Sequence, residues 1–529
     1  MSTAALTVDE VWRPKYNPWL IAVVVALAAF MEVLDTSIAN VALPYMAGSL
    51  GASNDQSTWV LTSYLVSNAI ILPISGWLAG ALGRKRFFMA CLGVFTLSSL
   101  LCGIAPSLGM LLLFRVLQGA GGGGLQPMAQ AILADTFPPQ QRGLAFALYG
   151  ITAIMAPTIG PTLGGWITFN YSWRWIFFIN IPVGVGTWFL VRRFVEDPPY
   201  VAKLKAAGVK LDYIGISLLA LGIGALQILL DKGQEDDWFG SQFITTLVIV
   251  STVCLISLVI WEWFHKAPII DVRMFKSFNF ASANLMMFTL GILLFSSLVL
   301  MPQFLQTLLG YTSQLAGLAL SAGGLVLLLE MPIMGQLTTK VQARYLIAAG
   351  WLLLSIAMYY STKRIDLLIS FKAATLLRIT QVIGLGFLFV PITLVAYIGI
   401  PPDKNNAVAG IVNFMRNMGS SVGTSLVTTL IARRSQFHQA RLVEHARVDN
   451  PNFQNTVNGL QQSLAHAGVG VHEAQMTAYA RIYQNLQAEA ASLAYVDTFM
   501  VLAVGAGIMF VLAFALRKNE PGGGAVVME

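Results

Sequence analysis

The sequence predicts an all-α polytopic membrane protein of about fourteen transmembrane helices, on composition, segment length and charge placement. Over 529 residues, 56% are hydrophobic and only 11% charged, whereas soluble domains carry roughly 25% charged residues. Apolar runs of about 20 residues, each long enough for ~30 Å of hydrocarbon, recur along the whole chain. The charges fall in the loops between them. Roughly nineteen Lys and Arg lie on one face, against Arg174, Lys232, Lys363 and Arg364 in the short loops of the other. An even number of spans puts both termini on the basic face, which the positive-inside rule makes cytoplasmic.

In order, the spans are expected to start near Trp19, Thr58, Phe87, Leu108, Gly143, Ile176, Tyr213, Phe243, Phe280, Ala316, Tyr345, Leu367, Asn406 and Ala494. The polar stretch 1–18 is a cytoplasmic tail; the apolar run after it is long, contains acids and lacks a small-residue cleavage site, so it stays as a first span. A weak internal repeat divides the rest. Gly76-Trp77-Leu78 recurs as Gly335-Gln336-Leu337, and Arg115-x-x-Gln118-x-x-Gly121-x-Gly123 recurs as Arg378-x-x-Gln381-x-x-Gly384-x-Gly386. Both offsets are about 260 residues, the mark of transporters built from two repeats. The halves are therefore an N-terminal six-helix bundle, 19–195, and a C-terminal one, 265–517. Between them, 196–264 holds a cytoplasmic linker and two inserted helices, and 518–529 is a cytoplasmic tail. Residues 435–493, rich in Gln, Asn, His and Ala, form a long loop on the outer face, with an amphipathic helix between Glu473 and Leu493 leading into the last span.

Composition also excludes functions. A net charge of +7 and a pI near 9.2 reflect Lys and Arg retained beside the membrane and imply no nucleic acid. Cys91, Cys102 and Cys254 lie in apolar segments without metal-ligand spacing, so neither a disulfide framework nor a metal site is expected. No cofactor motif is present. With no nucleophile–base set and almost no extramembrane mass, an enzyme is disfavoured.

Candidate functional residues are those whose burial in hydrocarbon demands a reason. Glu32 and Asp35 stand near the middle of the first span, three residues apart and so on one helix face, and Thr36 and Asn40 extend a polar stripe from Glu32 at four-residue spacing. Acids held there can take up and release protons or pair with a cation. Arg115, in the fourth span, cannot lose its proton and must find a carboxylate, a carbonyl or water, for which a membrane carboxylate such as Asp35 is a natural partner. The glycines that follow, Gly119 and Gly121 to Gly124, lack the Lys-Ser or Lys-Thr ending of a phosphate loop and read as close helix packing. Gly76 to Arg86 joins the second and third spans. Its small residues permit a tight crossing, and Arg84, Lys85 and Arg86 can cap helix C-termini or pair with acids. In the fifth span, Pro157, Gly160, Pro161, Gly164 and Gly165 give a kinked helix with a nearly bare face. Glu330 is an isolated acid in a second-half span, either a secondary protonation or substrate site or a structural acid.

Together these stretches resemble the major facilitator superfamily, specifically its fourteen-span drug:proton antiporter group. Leu34 to Pro44 is similar to that group's first-span motif, Gly76 to Arg86 to the superfamily's signature loop, and Arg115 to Gly119 to its proton-coupling motif. Gly160-Pro161-x-x-Gly164-Gly165 resembles the exporter motif, and Trp173 to Pro182 is typical of the group. The runs Leu230 to Gln234, Asp237 to Phe239 and Pro268 to Asp271 resemble inner-membrane components of tripartite exporters. Two departures stand out: Gly80 replaces the usual Asp of the signature loop, and Ala147 and Ala156 replace glycines of the exporter motif. The resemblance implies a major facilitator fold in the bacterial inner membrane. It also implies a proton-coupled multidrug efflux antiporter that takes small hydrophobic or amphiphilic substrates and works with a periplasmic adaptor and an outer-membrane channel. Proton coupling would fall to Asp35, Glu32 and Arg115, and conformational change to Gly76, Gly83, Arg84, Lys85, Arg86, Gly160, Pro161, Gly164 and Gly165. An exporter of one metabolite or siderophore, and a non-transporting sensor or scaffold, are the alternative readings.

Overall fold

The computed structural model describes residues 14–199, 212–447 and 449–518. Asp9, Glu10 and Arg13 of the first tail, the linker cations Lys203, Lys205 and Lys210, and the C-terminal tail beyond Lys518 lie outside the described residues. Among the described residues all regular structure is helical.

Local chemistry sets the first helices. α1 (Pro18–Leu50) begins with Pro18 at its first position while Asn17 accepts the Trp19 amide, and it ends at Gly51 in a left-handed conformation. α2 (Asn54–Leu82) starts with a reciprocal capping box between Ser53 and Gln56. α3 (Arg84–Ile104) follows, then a fourth span broken into α4 (Leu108–Gly122) and α5 (Leu125–Thr136), α6 (Pro139–Asn170), the short α7 (Trp175–Phe178) and α8 (Asn180–Phe194). The inserted pair is α9 (Tyr213–Lys232) and α10 (Gln242–Phe264). The second half comprises α11 (Phe278–Thr307), α12 (Ser313–Leu337), α13 (Ala343–Thr362), α14 (Phe371–Tyr397), α15 (Asn405–Val443), α16 (Pro451–His466) and α17 (Val471–Ala513).

Counting α4 with α5 and α7 with α8, 13 helices among the described residues are long and apolar enough to cross a membrane. The remaining expected span, α15, is long but too polar to qualify by hydropathy. Its Asn413, Arg416, Ser421 and Thr424 face protein and a cavity, which is why they are tolerated. The segment expected to be a loop at 435–493 is mostly helix. α15 continues to Val443 and α17 starts at Val471, because neither stretch contains a proline to stop it. The amphipathic helix expected between Glu473 and Leu493 is the first part of α17, and Asp497 ties the two extensions by accepting from Arg434 Nε at 2.6 Å and meeting His438 Nε2 at 2.7 Å.

Within the first half α1 packs on α6, α2 on α4, and α3 on α4 and α8; in the second, α11 packs on α15, and α13 on α14 and α17. The halves meet where α6 lies on α12 and where α2 and α5 lie on α15. The repeated glycines sit at these seams. A Cβ on Gly76 of α2 would lie 2.9 Å from the Ala407 Cα of α15, and one on Gly335 of α12 would lie 2.9 Å from the Leu144 Cα of α6. Both contacts are at the end of the molecule that carries the termini, and only glycine permits backbones that close.

Candidate functional site

The polar residues of α1 open into two different compartments. Asp35 faces α4 and α8: its Oδ2 accepts from Arg115 Nη1 at 2.6 Å, and its Oδ1 accepts from Gln118 Nε2 at 3.0 Å and Asn180 Nδ2 at 2.6 Å. Arg115 also donates from Nη1 to Gln118 Oε1 at 2.7 Å and from Nε to the Val60 carbonyl at 3.1 Å, and its guanidinium lies 4.3 Å from the centre of the Tyr64 ring. Arg115 is fully buried and Asp35 only 2% exposed. Every polar contact of the carboxylate is a donor, which is the arrangement that keeps a charged pair tolerable in a low-dielectric interior.

Glu32 turns instead toward the centre of the molecule. Its Oε1 accepts from Tyr64 OH at 2.8 Å and from Asn68 Nδ2 at 3.0 Å, while Oε2 accepts from Gln126 of α5. Here the sequence expectation needs correction. Three residues of spacing leave Glu32 and Asp35 on neighbouring parts of the helix, but the neighbouring helices divide them. The stripe Glu32, Thr36, Asn40 lines a cavity of about 480 Å³, and Asp35 is not among its lining residues.

That cavity lies between the halves. α1 contributes residues between Glu32 and Asn40, α2 from Leu61 to Ala69, and α15 from Arg416 to Thr428, so the space runs from the middle of α1 toward the end opposite the termini. Its floor is a polar bridge across the two bundles. Arg416 donates to Gln126, Tyr149 OH donates to Asn413 Oδ1 at 2.7 Å, and Asn413 donates to Gln130. Beneath the floor, Asp135 of α5 pairs with Arg84 of α3 and accepts from Asn405 Nδ2 of α15 at 2.6 Å. The molecule is thus closed at the end bearing the termini and open at the other.

The conformational motifs fall around this arrangement. Arg84 is 1% exposed, so it does more than orient a loop. Gly83 ends α2 at φ 89, and Asp135, distant in sequence on α5, is the acid that pairs with Arg84 where Gly80 offers no charge. The Lys85 amide donates to Asp197 at 2.8 Å and its Nζ to the Arg192 carbonyl at 2.7 Å, a helix C-terminal contact. Arg86 lies at the exposed surface. Gly160 packs against Ser37, and a Cβ on Gly164 would lie 3.1 Å from the Ile38 Cα, so the bare face of α6 seals on α1 directly beside Asp35; Gly165 is looser, and Pro161 lines the cavity. Gly164→Leu is expected to cost about 1–3 kcal/mol by overpacking, read as a lower unfolding temperature of the purified protein in detergent; an unchanged temperature would contradict the tight α1–α6 seal.

The expected glycine packing in the fourth span also holds, with one addition: Gly123 and Gly124 break the helix between α4 and α5. Glu330 is away from the cavity. It lies on α12 opposite Gly386 of α14, buried, and neither carboxylate oxygen has a hydrogen-bond partner. The repeat is visible in the side chains too. Gln381 donates to Ser361 Oγ at 2.9 Å as Gln118 does to Ser99 Oγ at 3.2 Å, but Arg378 meets Ser297 at 2.8 Å where Arg115 meets Asp35. Sequence reasoning missed Arg416, Asn180, Gln126 and Asn413. Arg416 had a signal, a lone guanidinium inside a span; the three amides had none.

Two pseudo-symmetric helical bundles around a polar cavity at mid-membrane depth, with a buried acid–base pair beside it, define a secondary transporter. The chain belongs to the major facilitator superfamily, whose family model, described as Major Facilitator Superfamily, matches residues 25–424. It is 37% identical to the multidrug export protein EmrB of Haemophilus influenzae, across 94% of this chain and 95% of that one. To EmrB of Escherichia coli (strain K12) it is 36% identical across 96% of each. To the fatty acid resistance protein FarB of Neisseria gonorrhoeae it is 39% identical across 82% of this chain and 85% of that one. A solved structure of the proton:xylose symporter XylE superposes with a TM-score of 0.62 at 13% identity, covering 97% of this chain and 98% of that one; this likeness concerns the fold alone.

Proposed function

We propose that the chain is a proton-coupled multidrug efflux antiporter that exports amphiphilic or hydrophobic compounds by alternating access. The observation that carries this reading is the Asp35–Arg115 pair, buried on α1 and α4 beside a cavity that lies between the two bundles. In this reading the proton exchanges on Asp35, Arg115 responds to the loss of its counter-charge, and Glu32 adjusts the cavity floor through Gln126 and Arg416. Glu330 is assigned as a secondary protonatable group, supported by its buried, unpartnered carboxylate. Gly76, Gly83, Arg84, Lys85 and Arg86 would govern closure at the end bearing the termini, and Gly160, Pro161, Gly164 and Gly165 the α1–α6 seal. Proton and substrate must bind the two states unequally for either to shift their populations.

The assignment extends to topology and partners. Both termini are placed in the cytoplasm of a bacterial inner membrane, supported by the excess of Lys and Arg on that face. The working units are the bundles 19–195 and 265–517 with the inserted segment 196–264. The projecting ends of α15 and α17 with α16 would receive a periplasmic adaptor leading to an outer-membrane channel. A second reading, export of one anionic amphiphile, is favoured by Arg416 in the cavity and by the relative named for fatty acid resistance. In proteoliposomes an imposed pH gradient is expected to drive efflux of several unrelated hydrophobic dyes. Transport of a single chemical class would select the second reading, and ligand binding without any flux would overturn both.

A further inference from the structure

The inserted helices could be passengers on the outside of the transporter, but α9 lines the cavity with Gln227, Leu230 and Asp231, and the turn that follows it with Gln234 and Glu235. It lies where a side opening would otherwise form. At the closed end α2 and α15 touch through Gly76 and Ala407, whereas farther along both helices face the cavity, and α9 stands across the gap between them.

The two attachments of α9 differ in kind. Toward α2 of the N-terminal half they are many. Asp231 accepts from Thr62 Oγ1, and Lys232 Nζ reaches Thr58 Oγ1 and, at 3.5 Å, Asp55 Oδ1, while lying 5.6 Å from the centre of the Trp59 ring. A Cβ on Gly224 would meet Val66 Cγ1 at 3.7 Å and Ile70 Cδ1 at 3.8 Å, which is ordinary packing distance. The turn beyond α9 is held in a costly conformation, with Asp237 at φ 57 and Trp238 at φ 46, its indole donating to Gln234 Oε1 at 3.2 Å. Toward α15 of the C-terminal half there is one side-chain hydrogen bond, from Ser421 Oγ to Gln227 Oε1 at 3.0 Å, and the apolar cluster in which Leu219 and Ile223 join Met418.

We infer that α9 is a moving wall of the transport path: it travels with the N-terminal half, closes the α2–α15 seam against lipid while the cavity is open, and parts from the C-terminal half at Gln227–Ser421 when the transporter turns over. The inserted helix then shapes the cavity, which makes Gln227 a specificity-determining residue. The inference rests on the antiporter reading and adds a division of labour to it.

Two cysteine pairs test it, in a parent carrying Cys91→Ala, Cys102→Ala and Cys254→Ala and reconstituted for pH-driven dye efflux. Oxidising the pair Gln227→Cys with Ser421→Cys is expected to lower efflux by about tenfold or more, because the gating motion is blocked, and reductant should restore it. Oxidising Val66→Cys with Gly224→Cys is expected to leave efflux within about twofold of the reduced protein, since those residues move together. Undiminished efflux from the locked Gln227–Ser421 pair overturns the inference alone, as does loss of efflux from the locked Val66–Gly224 pair. A parent chain without efflux overturns the antiporter reading and this inference with it.

Discussion

Asp35→Asn is expected to abolish efflux driven by a pH gradient, by about two orders of magnitude or more, given that breaking a buried ion pair costs roughly 3–5 kcal/mol and each 1.4 kcal/mol is tenfold. The geometry gives the reason. Asp35 is surrounded only by donors, with Arg115 on Oδ2 and Gln118 and Asn180 on Oδ1. An asparagine offers one acceptor oxygen and turns the other position into a donor, so either Arg115 or the amide pair meets an N–H group. The variant also has no proton to exchange, so the pH gradient has no differential hold on the two states. Efflux should be read by dye release from proteoliposomes, with ligand binding to the same preparation measured alongside. Retained binding with no driven flux is the expected result; full transport by Asp35→Asn would remove this residue from the mechanism. Arg115→Lys is a companion test, since it keeps the charge and loses the planar fork that serves Asp35, Gln118 and Val60 together.

The second large effect is expected at a residue with no chemistry of its own. A Cβ on Gly76 would stand 2.9 Å from the Ala407 Cα and amide nitrogen and from the Asn406 carbonyl oxygen, all backbone atoms that cannot swing aside. Gly76→Leu therefore acts only on the state in which α2 and α15 meet. Overpacking of about 1–3 kcal/mol shifts the balance between the two states roughly 5- to 150-fold toward the one in which this end is open. Spin labels on Leu82, which is exposed, and Lys404, which is half-buried near the seam, should show a longer distance than in the parent, and efflux should fall about tenfold or more. Gly335→Leu, at the equivalent seam between α12 and α6, should do the same. An unchanged distance together with full transport would mean that these ends do not need to close.

Much of the helical content was legible because hydrocarbon imposes a simple rule: long apolar runs become spans, and charges stay in the loops. The expected starts agree closely with the helices for most spans; Tyr213 and Leu108, for example, open α9 and α4. The rule weakens where a helix is not exposed to lipid. α15 is polar because it faces the other bundle and the cavity, and the loop expected at 435–493 became helix because hydropathy is blind to a helix that continues into water. The Asp35–Arg115 pairing was legible in part for the same reason the spans were, since an isolated guanidinium in hydrocarbon needs a carboxylate, a carbonyl or water, and Asp35 was a natural candidate.

By itself, then, the sequence determined that the chain is an all-helical membrane protein in two related halves, and it singled out Asp35, Glu32, Arg115 and the motif glycines. Only the tertiary structure decided how those residues divide. Helical periodicity puts Glu32 and Asp35 close on one surface of α1, but the helices packed there separate a sealed ion pair from a cavity-lining acid. It also supplied what periodicity cannot encode: Arg416, Asn180, Gln126 and Asn413 lie far from α1 in sequence, and their roles come from helices meeting in space, within the first half for Asn180 and across the two halves for the others. Charge burial can be read one residue at a time, whereas a cavity and a gate exist only between elements.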